Sequence, residues 1–504
     1  MTEAPIQLVW FKRDLRAHDH RPLVEAARRG CVLPLYIVEP SLVHAPDFDL
    51  SHWTFIADSL RELRGALAAL GQPLVVRVGE ALPVLQELAR QFKFTLWAHE
   101  ETGNGVSYAR DQAVRRWLRE SGIERHELPS NGIVRRLRDR DEWAGCWQAR
   151  MRAAPLAAPA SLQPLPEIEI GAIPSHQDLG LPPDQRAARL QRGGESQALK
   201  VWDSFLSERG ISYRGGISSP LSAETACSRL SPYLAWGNLS SRQIIHDLRN
   251  AYGGASPRWE KSLRAFESRM HWHCHFIQKL EDDPRIEFEN FVRAYDGLRE
   301  DEFDDAKFAA WCAGATGYPM VDACMRSLRA TGWLNFRMRS MLVAFAAYDL
   351  WLHWRAPSLF LARQFLDYEP GIHYSQMQMQ AGTAGHATIR LYNPIKQGQD
   401  HDPQGVFIRR WLPELERVPT SFIHAPWLLP PTQQAALGCV IGKDYPAPVV
   451  NHDEAVTRAR QRIAAFRRKP ELKEEIAAVF AKHGSRRRTR PPRAAVSERQ
   501  LRLF

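Results

Sequence analysis

Between residues 151 and 195 the chain stops reading as either a helix or an interior strand. The stretch AAPLAAPASLQPLPEIEIGAIPSHQDLGLPP places prolines every few residues. Each proline removes a backbone donor and restricts the residue before it. No long helix or central strand can form there, so the segment reads as a linker lying over the surface. A chain of 504 residues must then fold as separate bodies, as its length also implies, since domains run to roughly 100–200 residues.

The two sides of the linker carry different periodicities. Residues 1–150 alternate short apolar runs, IQLVWFK (6–12), CVLPLYIV (31–38), PLVVRVG (73–79) and FTLWAHE (94–100), with helical stretches at 52–70 and 108–121. That alternation predicts an α/β domain with a doubly wound parallel sheet, Rossmann-like, covered by helices on both faces. Residues 196–475 show helical patterns with short turns and no strand alternation, which predicts an all-α domain. The end of the chain, 476–504, contains RRRTRPPR (486–493) and reads as a basic disordered tail.

Composition narrows the function classes. A net charge of +10 favours polyanionic partners, and 16 tryptophans are many for this length. Seven cysteines at 31, 146, 227, 274, 312, 324 and 439 contain no CxxC pair. A zinc ribbon, a disulfide framework and an iron–sulfur cluster are not expected. The start MTEAPIQLVWFKRDLR carries no signal-peptide pattern, and no apolar run approaches the roughly 20 residues of a membrane span. The expectation is a soluble, cytoplasmic monomer with no membrane partner. His271, His273 and His275 form H-x-H-x-H, but on a helix only the first and last share a face, so no metal is expected.

Four ordered blocks carry a resemblance: LVWFKRDLRAHDH near the start, RLSPYLAWGNLSSRQ (229–243), TGYPMVDACMRSLRATGW (316–333) and IRLYNPIKQGQDHDPQGVFIRRWLPEL (389–415). Together they resemble the photolyase/cryptochrome family. The resemblance implies FAD in the helical domain, an antenna chromophore of unidentified type in the α/β domain, and UV-damaged DNA as the partner. Ser228 and Ser231, with Arg229 between them at an expected helix start, suit a pyrophosphate. By the same resemblance Tyr213, Cys227, Leu230, Arg264, Glu267, Asn335, Glu369 and His373 are cofactor-binding. Arg339 is expected to pair with Asp367 beside the flavin ring, where a cation stabilises an anionic reduced flavin.

The catalytic side is read likewise. Glu267 matches a glutamate facing the lesion, and Arg337, His271 and Met379 are expected at the DNA. Departures from the family pattern gather here. Met270 stands in place of a lesion-stacking tryptophan, His271 in place of an arginine, and His373 in place of an asparagine near flavin N5. Because histidine titrates near neutrality, His373 is expected either to alter flavin protonation or to be satisfied by backbone groups. Met377 and Met379 replace two tryptophans, which breaks the flavin-proximal end of a tryptophan chain whose middle and outer members match Trp354 and Trp311. Methionine packs well against rings but does not carry an electron as a tryptophan radical does. The resemblance therefore implies a light-driven photolyase, a carbon–carbon lyase acting on pyrimidine dimers, with cyclobutane dimers favoured over (6-4) products. The alternative it carries is a blue-light photoreceptor of the cryptochrome type without repair.

Overall fold

The computed structural model describes residues 5–484 except 166–167, 184–185, 187–188 and 386–388. The tail motif at 486–493 lies outside the described residues. Five strands, β1 (Ile6–Phe11), β2 (Val32–Val38), β3 (Val75–Val78), β4 (Phe94–His99) and β5 (Arg125–Leu128), form one parallel sheet in the order β3-β2-β1-β4-β5. The first four follow the apolar runs in the sequence. β5 has the sequence RHEL and is half-buried along its length, so it lacks the apolar run that marks an interior strand. Helices α1 (Leu50–Ala69) and α2 (Gly105–Glu120) connect strands in the doubly wound manner.

Beyond α3 (Trp143–Arg152) the linker keeps close to the sheet. Leu162 N donates to Leu70 O at 2.6 Å, Leu165 N to Gln72 Oε1 at 2.7 Å, and Val76 N of β3 to Ile170 O at 2.8 Å. The helical domain then supplies α4 (Ser231–Ala235), α5 (Ser241–Tyr252), α6 (Pro257–Asp282), α7 (Phe336–Ala344), α8 (Pro370–Ala381) and α9 (Pro470–His483). α9 runs across the boundary expected at 475, because PELKEEIAAVF carries good helix formers behind a proline at the first turn. No described helix is long and apolar enough to cross a membrane.

The domains are joined through buried polar groups. The turn Trp236–Gly237–Asn238 abuts the segment that follows β1. Leu15 N donates to Trp236 O at 3.2 Å, Arg16 Nη1 to Gly237 O at 2.9 Å, and Asn238 Nδ2 to Leu15 O at 2.9 Å. Asp14 accepts from Lys12 N at 2.7 Å and lies 2.9 Å from His20 and 2.7 Å from His99. Burial acts to raise its carboxyl, but the two histidines hold it well below the usual range.

Gly237 has φ 71°, and a Cβ there would lie 2.2 Å from Arg13 O and 2.5 Å from Asp14 Cα. Only glycine allows that approach. Gly237→Ala is expected to destabilise the protein by about 2 kcal/mol or more, read as a lower apparent melting temperature. An unchanged melting temperature would show that the contact is not needed.

Candidate functional site

After the helix Pro220–Ala226, residues 227–230 turn into α4. Arg229 sits at φ 63°, a left-handed conformation uncommon for a bulky residue and a form of strain that gathers at functional sites. Arg209 braces the turn, donating to the carbonyls of Thr225 at 2.9 Å, Cys227 at 2.5 Å and Ser228 at 3.2 Å. The Arg229 guanidinium lies 3.9 Å over the Trp333 ring and donates to Gln191 Oε1 at 3.2 Å. Burial pushes it down to about 10 and pushes the Cys227 thiol up to about 11. Leu230 is fully buried.

Facing this turn is the pair at the centre of the site. Arg339 of α7 donates from Nη1 and Nη2 to Asp367 at 3.0 and 2.8 Å, and from Nε to Leu334 O at 2.6 Å. Burial would raise the Asp367 carboxyl; Arg339, Ser231 and Arg229 together hold it below the ordinary value. Both partners stay charged, and the planar guanidinium is fixed by two-point bonding. Asn335, which precedes α7, donates to the carbonyls of Ile217 at 3.0 Å and Ser218 at 2.9 Å. Its Oδ1 and the hydroxyl of Ser340 are buried without a hydrogen-bond partner among the described residues. Buried polar atoms are nearly always satisfied, so this constellation fits a polar ring ligand such as FAD. Tyr213 is buried against Phe205 and Phe266, with its hydroxyl hydrogen-bonded by Arg269.

The other expected residues lie on α6 and around it. Glu267 accepts from Tyr252 Oη at 2.5 Å and from Arg249 at 3.2 and 3.3 Å, which commits its carboxylate to α5. Met270 is buried in the core, and His271 meets the rings of Trp143 and Trp147 edge-on. Arg264 is exposed and pairs with Glu260. Glu369 accepts from Arg13 at 3.3 Å at the domain boundary. Met379 lies 4.0 Å from Lys279 Nζ, and the Arg337 charge acts on His401. Arg13, Arg209 and Arg269 escaped the sequence reading; of these only Arg13 falls in a block with a recognisable pattern.

His373 lies on α8 with its ring among Phe365, Tyr368 and Tyr374, and its Nε2 is 2.9 Å from Ser358 O. Burial pushes it down to about 4. His373 is thus satisfied by a backbone carbonyl, the second of the two expectations for it, and its burial disfavours the charged ring. Met377 is buried in the core. Trp354 donates to Asn290 Oδ1 at 2.7 Å, and its ring approaches Tyr374 at 6.5 Å. Trp311 is fully buried and packs on Phe308 and Phe360. No ring contact joins Trp311 to Trp354 among the described residues.

The chain pairs a parallel-sheet domain with a helical body that holds a two-point Arg–Asp pair, and comparison with known proteins says which class this architecture belongs to. Residues 7–138 match the model for DNA photolyase, and residues 266–465 match the FAD-binding domain of DNA photolyase. Cryptochrome DASH of Gloeobacter violaceus is 31% identical, with 88% of this chain and 93% of that protein covered. Deoxyribodipyrimidine photo-lyase of Streptomyces griseus is 32% identical, covering 90% and 98%. Among solved structures, a bacterial class III photolyase from Agrobacterium tumefaciens superposes with a TM-score of 0.82 at 27% identity, covering 93% and 99%. An archaeal photolyase from Sulfolobus tokodaii, solved with two FAD molecules, gives 0.74 at 26%, covering 91% and 99%. The chain belongs to the photolyase/cryptochrome family and carries its FAD-binding domain.

Removing the buried Asp367 leaves the half-buried Arg339 without the carboxylate that orients it. Asp367→Ala is expected to lower flavin occupancy at least tenfold, read from the ratio of 450 to 280 nm absorbance after purification; full occupancy would exclude the pair from binding. His373 binds a proton less readily folded than unfolded, so its contribution to stability is complete above about 6.5 and is lost as pH falls toward about 4. Its ring resonances are expected to stay constant from pH 6 to 8 by NMR.

Proposed function

We propose that this protein is a blue-light-driven DNA photolyase that repairs UV-induced pyrimidine dimers, with the cyclobutane type as its preferred lesion. The observation that carries the reading is the two-point pair of half-buried Arg339 with buried Asp367, on a helix that also carries a buried, unpartnered hydroxyl at Ser340 and follows a buried, unpartnered Asn335 Oδ1. Bound, reduced FAD would supply a light-excited electron to the dimer and take it back once the dimer bonds have split, with no net redox change. Arg339 places a fixed positive charge where an anionic ring is favoured, and Asp367 keeps that charge oriented. The turn at 227–231 and Tyr213 hold the remainder of the cofactor. Damaged DNA is the partner, gripped through phosphates by basic side chains such as Arg337, with binding that weakens as salt rises.

A photoreceptor role without repair is the second reading. It is favoured by Met377 in place of a tryptophan, since a methionine does not carry an electron as a tryptophan radical does. Tyr374, whose ring neighbours those of Trp354 and His373, or a different tryptophan would substitute in that route. For an antenna, the cleft at the carboxyl ends of β1 and β2, lined by Trp10, Tyr36, Glu101, Asn104 and Arg110, holds only about 80 Å³. That is below the roughly 300 Å³ of a small-ligand site, so the cleft as it stands does not fit a chromophore.

The test uses chemically reduced protein, which removes any dependence on the tryptophan route. Oligonucleotides carrying one cyclobutane dimer or one (6-4) product are illuminated separately. Light-dependent restoration of the cyclobutane substrate is expected. Restoration of neither, with flavin bound and reduced, would overturn repair in favour of the photoreceptor.

A further inference from the structure

A large polar cavity of about 960 Å³ is walled mainly by residues of the α/β domain. Its wall is made by one face of α2, by β5, by the 135–140 loop and by the ends of α6 and α9. Along α6, Asp282 at the cavity is 15 residues from Glu267, about 22 Å at the helical rise. The cavity shares no lining residue with the candidate flavin site.

Its charge is strongly one-sided. Eight arginines and Lys482 line it, against Asp139, Glu281 and Asp282. Two of those carboxylates already have partners: Glu281 lies 3.2 Å from Arg135 Nε, and Asp282 accepts from Gln278 at 2.7 Å. Arg116, Arg119, Arg136 and Arg138 are exposed and make no ion pair with a described residue. Residues 116 and 119 are one turn apart on α2, so their guanidiniums share a face. Arg136 is held at φ 55°, a left-handed conformation that a long side chain seldom adopts. Tyr108 is 40% exposed at the rim and offers a ring.

Like charges gathered in a concave wall repel unless an anion neutralises them. Guanidiniums bind phosphate through two parallel N–H donors. The volume falls within the range of small-molecule sites. We propose that this cavity is a second anion site, which takes a phosphate-bearing ligand through the α2 and 135–140 arginines. The phosphates come either from a free nucleotide, whose base would meet Tyr108, or from the backbone of a nucleic-acid strand.

Isothermal titration of the full-length protein with tripolyphosphate, ATP and an undamaged single-stranded oligonucleotide tests this. Two charge-reversed proteins are compared, R116E/R119E on α2 and R136E/R138E on the loop, each checked for melting temperature and flavin content. Tripolyphosphate is expected to bind the unaltered protein and to lose at least tenfold in affinity in either variant that keeps its fold. Tighter binding of ATP than tripolyphosphate, lost in the same variants, identifies a nucleotide. A tenfold loss of oligonucleotide binding, with ATP no better than tripolyphosphate, identifies the strand. Equal tripolyphosphate affinity in both variants, or no binding at low salt, overturns the proposal.

Discussion

The structure depends on a contact between charged groups hidden where the two domains meet. Arg16 is almost completely buried and donates across the boundary to Gly237 O. Asp14, also buried, gathers Lys12 N, His20 and His99 at the carboxyl end of the sheet. Burying such groups is costly unless every one is paired. Here most of the pairing crosses the boundary: Leu15, Arg16 and Asn238 exchange bonds through a turn that tolerates no Cβ at Gly237, while Arg16 Nε is left buried without a partner among the described residues. The α/β domain is thereby a positioning element for the helical one.

Within the helical domain a partly buried pair has a different task. Arg339 and Asp367 are both charged, and the surrounding polar atoms are not all satisfied. An unsatisfied acceptor and hydroxyl beside a rigid cation are poor for stability and useful for holding a ligand. The strain at Arg229 falls in the same cluster.

Much of this was legible in the sequence, for physical reasons that differ by element. Four strands are apolar runs that the buried sheet requires. β5 was missed because an edge position lets RHEL keep its charges. Arg339 and Asp367 were legible only through the resemblance, since they lie 28 residues apart. On α6 the resemblance pointed Glu267 to a lesion, and what the sequence did not show is that Arg249 and Tyr252 hold its carboxylate. A one-residue step on a helix turns a side chain by about 100°, so block similarity alone does not say which face a residue takes. The basic cavity was invisible because its wall comes from segments near residues 115, 138, 281 and 482.

The linker has a consequence beyond joining two bodies. β3 is an edge strand of the sheet, and Val76 N is bonded to Ile170 O of the linker. An uncovered edge offers its backbone groups to any other extended chain. A proline-rich cover can satisfy that edge at single points without presenting a continuous ladder of its own, since proline has no N–H to give. The segment that prevents regular structure in its own residues thus guards the sheet against pairing with a neighbouring molecule.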